Sequence, residues 1–547
     1  LEFRRVLFRS EGDTSYTPKE YGNIYVHVNG GNMTNVFGGN DSKGEPSSID
    51  IVYLNGGTIG NAFGGGNNTG QPYSDIRLQG STITGNLYGG SNASGNVSST
   101  HVSVSDGSAV EVFGGNNLGG EAGDTHVSVT GGTISTGVYG GGKQADSSST
   151  NVKVSGCSVP DVYGGGKNAG VDTTAKVTLE NATGAKVFGG SNASGDVGVS
   201  NVTLTGSTAT SVYGGNNSGG TTETTHVTIQ TSTVTNVFGG GDNATSTTSD
   251  ITIESGSITN VFGGGNEAGV TTTNVDVIGG TITSLYGGSN QNGNITTSNI
   301  KVSGGNTGTM FGGNNLGGVT TDTNISSTGG TVQTIYGGGN KASVGTTTLN
   351  LNSITSNTIF GGGNEAVVTG DVTLNISTGT ISESVYGGGN AAGVNGGVTL
   401  HIDDSTIAGN VYGGGNEGIV QHDTDVYISS TAVSSNVFAG GNGATAIVYG
   451  DSTLTIDGDT VVGTSSTVAP NAGCVFGSGN AASTGATGSE GTATVNIVGG
   501  EIFGNVYGGP KMAVVYGVTE TNIGTAAVNN NSLTEDNIVI SGTVFGG

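Results

Sequence analysis

The chain alternates apolar and polar residues in short bursts, and the bursts return at a fixed spacing. Asn274-Val275-Asp276-Val277-Ile278 is one such burst. A Gly-Gly turn follows, then Thr281-Ile282, then Leu285-Tyr286 and a run of small residues. Period-2 alternation over four or five residues predicts a strand with one buried face, and no segment carries a helical period. On this reading Val270, Val275, Val277, Ile282 and Leu285 point inward in one repeat, while Val270-Thr271-Thr272-Thr273 reads as a polar loop. These few aliphatics fill a thin core and nothing larger.

The spacing is set most clearly by an aromatic residue. Phe or Tyr stands at 37, 63, 88, 113, 139, 163, 188, 213, 238, 262, 286, 311, 336, 360, 386, 412 and 438, then at 476, 507 and 545. A step of about 25 residues marks stacked coils rather than one globular core. Three short strands and three bends fit in each step. The predicted fold is therefore all-β: a single-stranded, right-handed parallel β-helix (β-solenoid) of about 25 residues per coil and roughly 20 coils. A left-handed helix would show strict hexapeptides and shorter coils. Residues 24–442 read as regular coils. Residues 443–547 read as irregular coils with longer loops at 443–470, 481–495 and 512–537. Residues 11–23 read as a partial coil or loop, and residues 1–10, which hold Arg4, Arg5 and Arg9, as a non-native leader. The chain then reads as part of a longer protein.

Around the aromatic lies a motif, seen in full at Val261-Phe262-Gly263-Gly264-Gly265-Asn266. Paired glycines imply either positive φ or a very close backbone neighbour. Coils in register place like residues about 4.8 Å apart. Rings can then stack and amides can bond up and down a column. The expected ladder residues include Phe113, Phe188, Tyr213, Phe238, Phe262, Tyr286 and Phe311, with Asn266, Asn290, Asn315, Asn340 and Asn364. Tyrosines in the row predict that it is at least partly open to solvent, since a sealed core penalises each hydroxyl.

Composition narrows the function classes. The formal net charge is −26, which disfavours nucleic acid and anionic membranes as partners. The 110 glycines come with only 6 prolines and no G-X-Y period, which excludes collagen. No stretch is apolar enough to span a membrane. Cys157 and Cys474 lie about twelve coils apart, too far for a disulfide.

The element Gly279-Gly280-Thr281-Ile282, also present as Gly56 to Ile59 and Gly131 to Ile134, precedes the aromatic motif in three coils. Together they resemble large, glycine-rich β-helical surface proteins of bacteria, adhesin-like in type. They are also partly similar to chlamydial polymorphic membrane proteins, whose repeats pair a GGA-aliphatic element with F-x-x-N. Phe37 to Asn40, Phe113 to Asn116 and Phe311 to Asn314 fit the second element, while Thr replaces the Ala of the first. The resemblance covers nearly the whole chain and implies an extracellular or cell-surface location.

Candidate chemistry is sparse. Arg77 is the one arginine after the leader, and sits in an ordinary strand pattern at Asp75-Ile76-Arg77-Leu78. His101 and His126 occupy one repeat position and read as a polar bend before a strand. Thr runs such as Thr271 to Thr273 suggest a flat, water-ordering face, as in ice-binding solenoids. No catalytic set, metal site or cofactor is expected. The expected function is a non-catalytic rod or stalk that binds surface glycans or other proteins. The alternative is a polysaccharide lyase or hydrolase, with ice binding a more remote one. One binding site stands out: Lys143 and Lys167 replace the motif Asn in consecutive coils, beside Tyr139 and Tyr163. Two ammonium groups stacked about 5 Å apart would suit an acidic sugar.

Overall fold

A computed structural model describes residues 19–20, 23–46, 49–464, 472–524 and 537–547. The expected leader and most of the partial coil lie outside the described residues, as do 465–471 and 525–536 within the expected long loops. Every regular element among the described residues is a strand. The chain forms a parallel β-solenoid in two compact units. One comprises residues 1–259 with 264–270, and the other residues 260–263 with 271–547.

In the first unit each coil pairs with the next in parallel, one repeat along. Val171–Glu180 pairs with Val197–Thr205, matching Ala175 to Ser200 and Val177 to Val202, and Thr183–Phe188 pairs with Thr208–Tyr213. The second unit repeats the plan. Ile295–Val302 pairs with Thr320–Ser327, and Asn306–Phe311 with Thr331–Tyr336. Later coils are leaner. Val372–Ser377, Thr380–Ile381 and Val385–Tyr386 carry the pairing there, while Val368, Val394, Val420 and Val448 join by single bridges. Pairing of this type continues to Val544–Phe545, the partner of Val506–Tyr507.

Burial follows the alternation. Val270, Val275, Val277, Ile282 and Leu285 are all buried. One detail differs from the sequence reading. Val270 to Thr273 is not a loop but the first half of a strand, Val270–Val277. Thr271 and Thr272 both face away from the core and Thr273 faces in, so the strand bends between them without ending. His101 and His126 likewise lie inside strands, paired with each other, and not at a bend.

The motif glycines are explained by proximity. A Cβ on Gly263 would meet the carbonyl oxygen of Gly287 in the next coil and the side chain of Thr273. Positive φ is used elsewhere, at the turn before the aromatic strand, as in Gly280 with φ 84°. Where that turn lacks Gly, other residues adopt the left-handed conformation, among them Thr231 at 48° and Asp404 at 44°.

Candidate aromatic strip and its flanking columns

Backbone register carries the side chains into columns. In the first unit the rings of Phe37, Phe63, Tyr88, Phe113, Tyr139, Tyr163, Phe188, Tyr213 and Phe238 stack with centroids 4.5–5.0 Å apart and planes within 10°. In the second unit a row runs from Phe262 through Tyr286, Phe311 and Tyr336 to Phe545, at 4.7–5.0 Å. Each interior ring has both faces covered by its two neighbours, so only its edge remains available.

The motif asparagines form amide ladders. Asn92 Nδ2 donates to Asn67 Oδ1 at 2.8 Å and Asn117 Nδ2 to Asn92 Oδ1 at 2.7 Å. Asn266 donates to Asp242 in the first unit. In the second unit Asn315, Asn340, Asn364, Asn390, Asn416, Asn442 and Asn480 each donate to the asparagine one coil back, starting at Asn290, over 2.8–3.0 Å.

A third column went unread in the sequence. It lies two residues before each aromatic, and in the first unit runs Asn86, Glu111, Gly137, Asp161, Lys186 and Ser211 in register. Asn86, Asp161 and Ser211 of this column meet the hydroxyls of Tyr88, Tyr163 and Tyr213. Asn86 Nδ2 donates to the Tyr88 hydroxyl at 3.0 Å, and the Tyr163 hydroxyl bonds the Asp161 carboxylate. Burial pushes Tyr88, Tyr139 and Tyr213 up to about 12, with neighbouring carboxylates adding to it. Tyr163 is pushed higher still by burial and then Asp161, and Asp161 itself is raised by burial. The expectation of an open row is thus corrected for most coils: Phe113 and Phe188 are wholly buried and Tyr139 is 2% exposed. Aligning the repeats at this position, rather than at the aromatic alone, would have revealed the column.

The two candidate lysines do not act as a stacked pair. Lys167 leaves the Asn column, passes over the Tyr139 ring with its ammonium 6.0 Å from the centroid, and bonds Glu111 across the strip. Glu111 is nearly buried, and Gly137 leaves this path clear of a side chain. Lys143 has no carboxylate partner among the described residues. Below it the Asn117 Oδ1 is buried and lacks a partner, because a lysine stands where the next amide would donate. Above the gap, Asn192 Nδ2 turns to the Tyr139 hydroxyl at 3.3 Å.

Two further devices consume polar groups. Inward hydroxyls bond the carbonyl of the first motif glycine: Thr225 to Gly239 and Thr273 to Gly287, each at 2.6 Å. Thr273 and its counterpart Thr347 are therefore structural and cannot join a flat outer face. Asn116, Asn216 and Asn314 form clasps. Asn216 Oδ1 accepts from the Ser191 amide at 2.7 Å, and its Nδ2 donates to the carbonyls of Gly195 and Gly219. The Ser-coil and Asn-coil pair returns every fourth coil, at Ser91/Asn116, Ser191/Asn216 and Ser289/Asn314.

Other candidates have ordinary roles. Arg77 is held by Asp75 at 2.6 Å and lies over the Tyr53 ring. His226 pairs with Asp250 at 3.0 Å. Among the described residues no three His, Cys, Asp or Glu groups converge on a metal position. Cys157 and Cys474 are both free. No helix among the described residues is long and apolar enough to cross a membrane. In comparisons with protein families, curated proteins and solved structures, nothing matches the chain.

Proposed function

We propose that this chain is a non-catalytic structural or adhesive repeat segment of a secreted or cell-surface bacterial protein, wound right-handed as crossovers between parallel strands are. It acts as a stiff spacer that presents its outer faces to glycans or other proteins. One observation carries this reading: the recurrent polar groups are spent on the solenoid itself. Amide and aromatic columns bond or stack along the coil axis, and inward hydroxyls bond across the coil. Such ladders resist bending and leave few groups converging on a reactant.

The aromatic row offers sugars little, because C–H groups favour the negative faces of rings and those faces are covered. Acidic sugars have Lys143 to meet, with Lys167 already committed to Glu111. Glycan binding therefore belongs to outward side chains and not to the strip. A glycan array run beside a reducing-end release assay tests the proposal. Binding without turnover is expected, and release of reducing ends from any bound polysaccharide would overturn it. Protease shaving of intact native cells should release these repeats; their recovery only from the cytosol would refute the location.

A further inference from the structure

The outer face of the second unit changes character over three coils. Strands Val372–Ser377, Val398–Asp403 and Thr424–Ser429 lie side by side in register. One outward column runs Asn350, Asn375, His401, Tyr427 and Thr455, and the next runs Ser377, Asp403, Ser429 and Asp457. Two rings thus interrupt a column of amides and small hydroxyls. An open groove of about 460 Å³ follows the two columns, lined by Asn375, Ser377, His401, Asp403, Tyr427 and Ser429. That volume falls within the roughly 300–1,000 Å³ of small-molecule sites.

These rings do not stack as those of the strip do. His401 and Tyr427 have centroids 4.9 Å apart and planes at 65°, so the ring that presents its edge keeps both faces clear of the other. Their outer neighbours in the column are Asn375 and Thr455, so no third ring covers them. His401 is exposed and Tyr427 half-buried. Polar groups along the groove are open as well. Asn375 Nδ2 donates to Asn350 Oδ1 at 2.8 Å, and His401 stands where the next amide would donate, so Asn375 Oδ1 has no partner among the described residues. The exposed Asp403 carboxylate has none among them either, and Ser377 and Ser429 flank it one coil either way. Tyr427 Oη donates to Asp457 Oδ2 at 2.6 Å, which holds the phenol ring in place. A carboxylate accepts from two neighbouring hydroxyls, an amide oxygen accepts from a third, and an uncovered ring face takes C–H groups. Adjacent hydroxyls on one edge and C–H groups on one face are what a pyranose offers. Asp403 and Asp457 place two carboxylates at this face, which disfavours acidic sugars.

We infer that the groove from Asn375 to Tyr427 binds a neutral pyranose, with Asp403 and Asn375 on its hydroxyls and the His401 and Tyr427 rings against its C–H face. This site serves the glycan-binding role proposed above and depends on it. Saturation-transfer NMR on the intact chain, with the methyl glycosides of glucose, galactose, mannose and fucose as probes, tests it. At least one probe should bind saturably, with a dissociation constant on the order of 1 mM, as an open groove and a small ligand allow. His401→Asn supplies an amide to the free Asn375 oxygen, and Tyr427→Thr gives this coil the residue of the next. Each variant should keep the far-UV circular dichroism of the parent and lose at least about tenfold in affinity. Asp403→Asn should bind severalfold more weakly. A glycoside that binds the parent and both folded ring variants equally overturns the groove as its site, while the glycan-binding role stands on another face. Absence of saturable binding by every probe also overturns the groove. A glycan array that stays blank as well then removes the glycan-binding role with it, whereas a positive array keeps that role.

Discussion

Asn216 is fully buried and joins three backbone groups in two coils. Asn216→Ala would leave a buried amide and two carbonyls without partners. Each unsatisfied group costs about 1–3 kcal/mol, so a loss of about 3 kcal/mol is expected. Urea denaturation of the chain against Asn92→Ala measures it; the half-exposed ladder amide should lose about 1 kcal/mol. Asp404 makes the opposite case. It is exposed, negative in a negative chain, and held at φ 44° where Gly serves in many coils. Asp404→Gly should stabilise the second unit by about 0.5–1 kcal/mol through relief of backbone strain. A lower denaturation midpoint in this variant would show that the turn is relaxed as it stands.

Among the elements, the break in the Asn ladder makes two neighbouring lysines behave differently. Lys143→Asn supplies a donor to the buried Asn117 Oδ1, and should stabilise the first unit by about 1 kcal/mol. Lys167→Asn leaves the Glu111 carboxylate buried without its cation, and should destabilise by about 2 kcal/mol. Thermal melts of the two single variants should therefore move in opposite directions. Equal shifts would mean that the Lys167 strap across Tyr139 does not form. In the double variant the two shifts partly offset, and spacing alone shows only two like charges and no path to Glu111.

For the whole molecule the tyrosine rows link stability to alkaline pH. Burial raises Tyr88, Tyr139 and Tyr213 to about 12, from an ordinary value near 10, and raises Tyr163, Tyr286, Tyr336, Tyr386 and Tyr412 as well. The folded chain thus holds these protons more tightly than the unfolded chain. The stabilisation is complete below pH 10 and is lost as pH rises from 10 through about 12. Absorbance at 295 nm and circular dichroism should change together in that window. Tyrosinate formation near pH 10 throughout, with the fold intact, would refute the sealing of the row.

Periodicity by itself determined the coil, its strands and its inward aliphatics, because a solenoid repeats one local problem and each solution is written at the same offset. Val275, Val277 and Ile282 needed no three-dimensional information to be placed inside. The stacking neighbours of Tyr286 and the donors of Asn315 follow from register alone. Tertiary structure decided what happens sideways, between columns of the same coil. That Thr273 turns inward to a glycine carbonyl depends on a bend within a strand. That Lys167 reaches Glu111 depends on a missing side chain at Gly137, two columns away. Such contacts join residues of different columns, and a repeat read one column at a time carries no record of which columns touch.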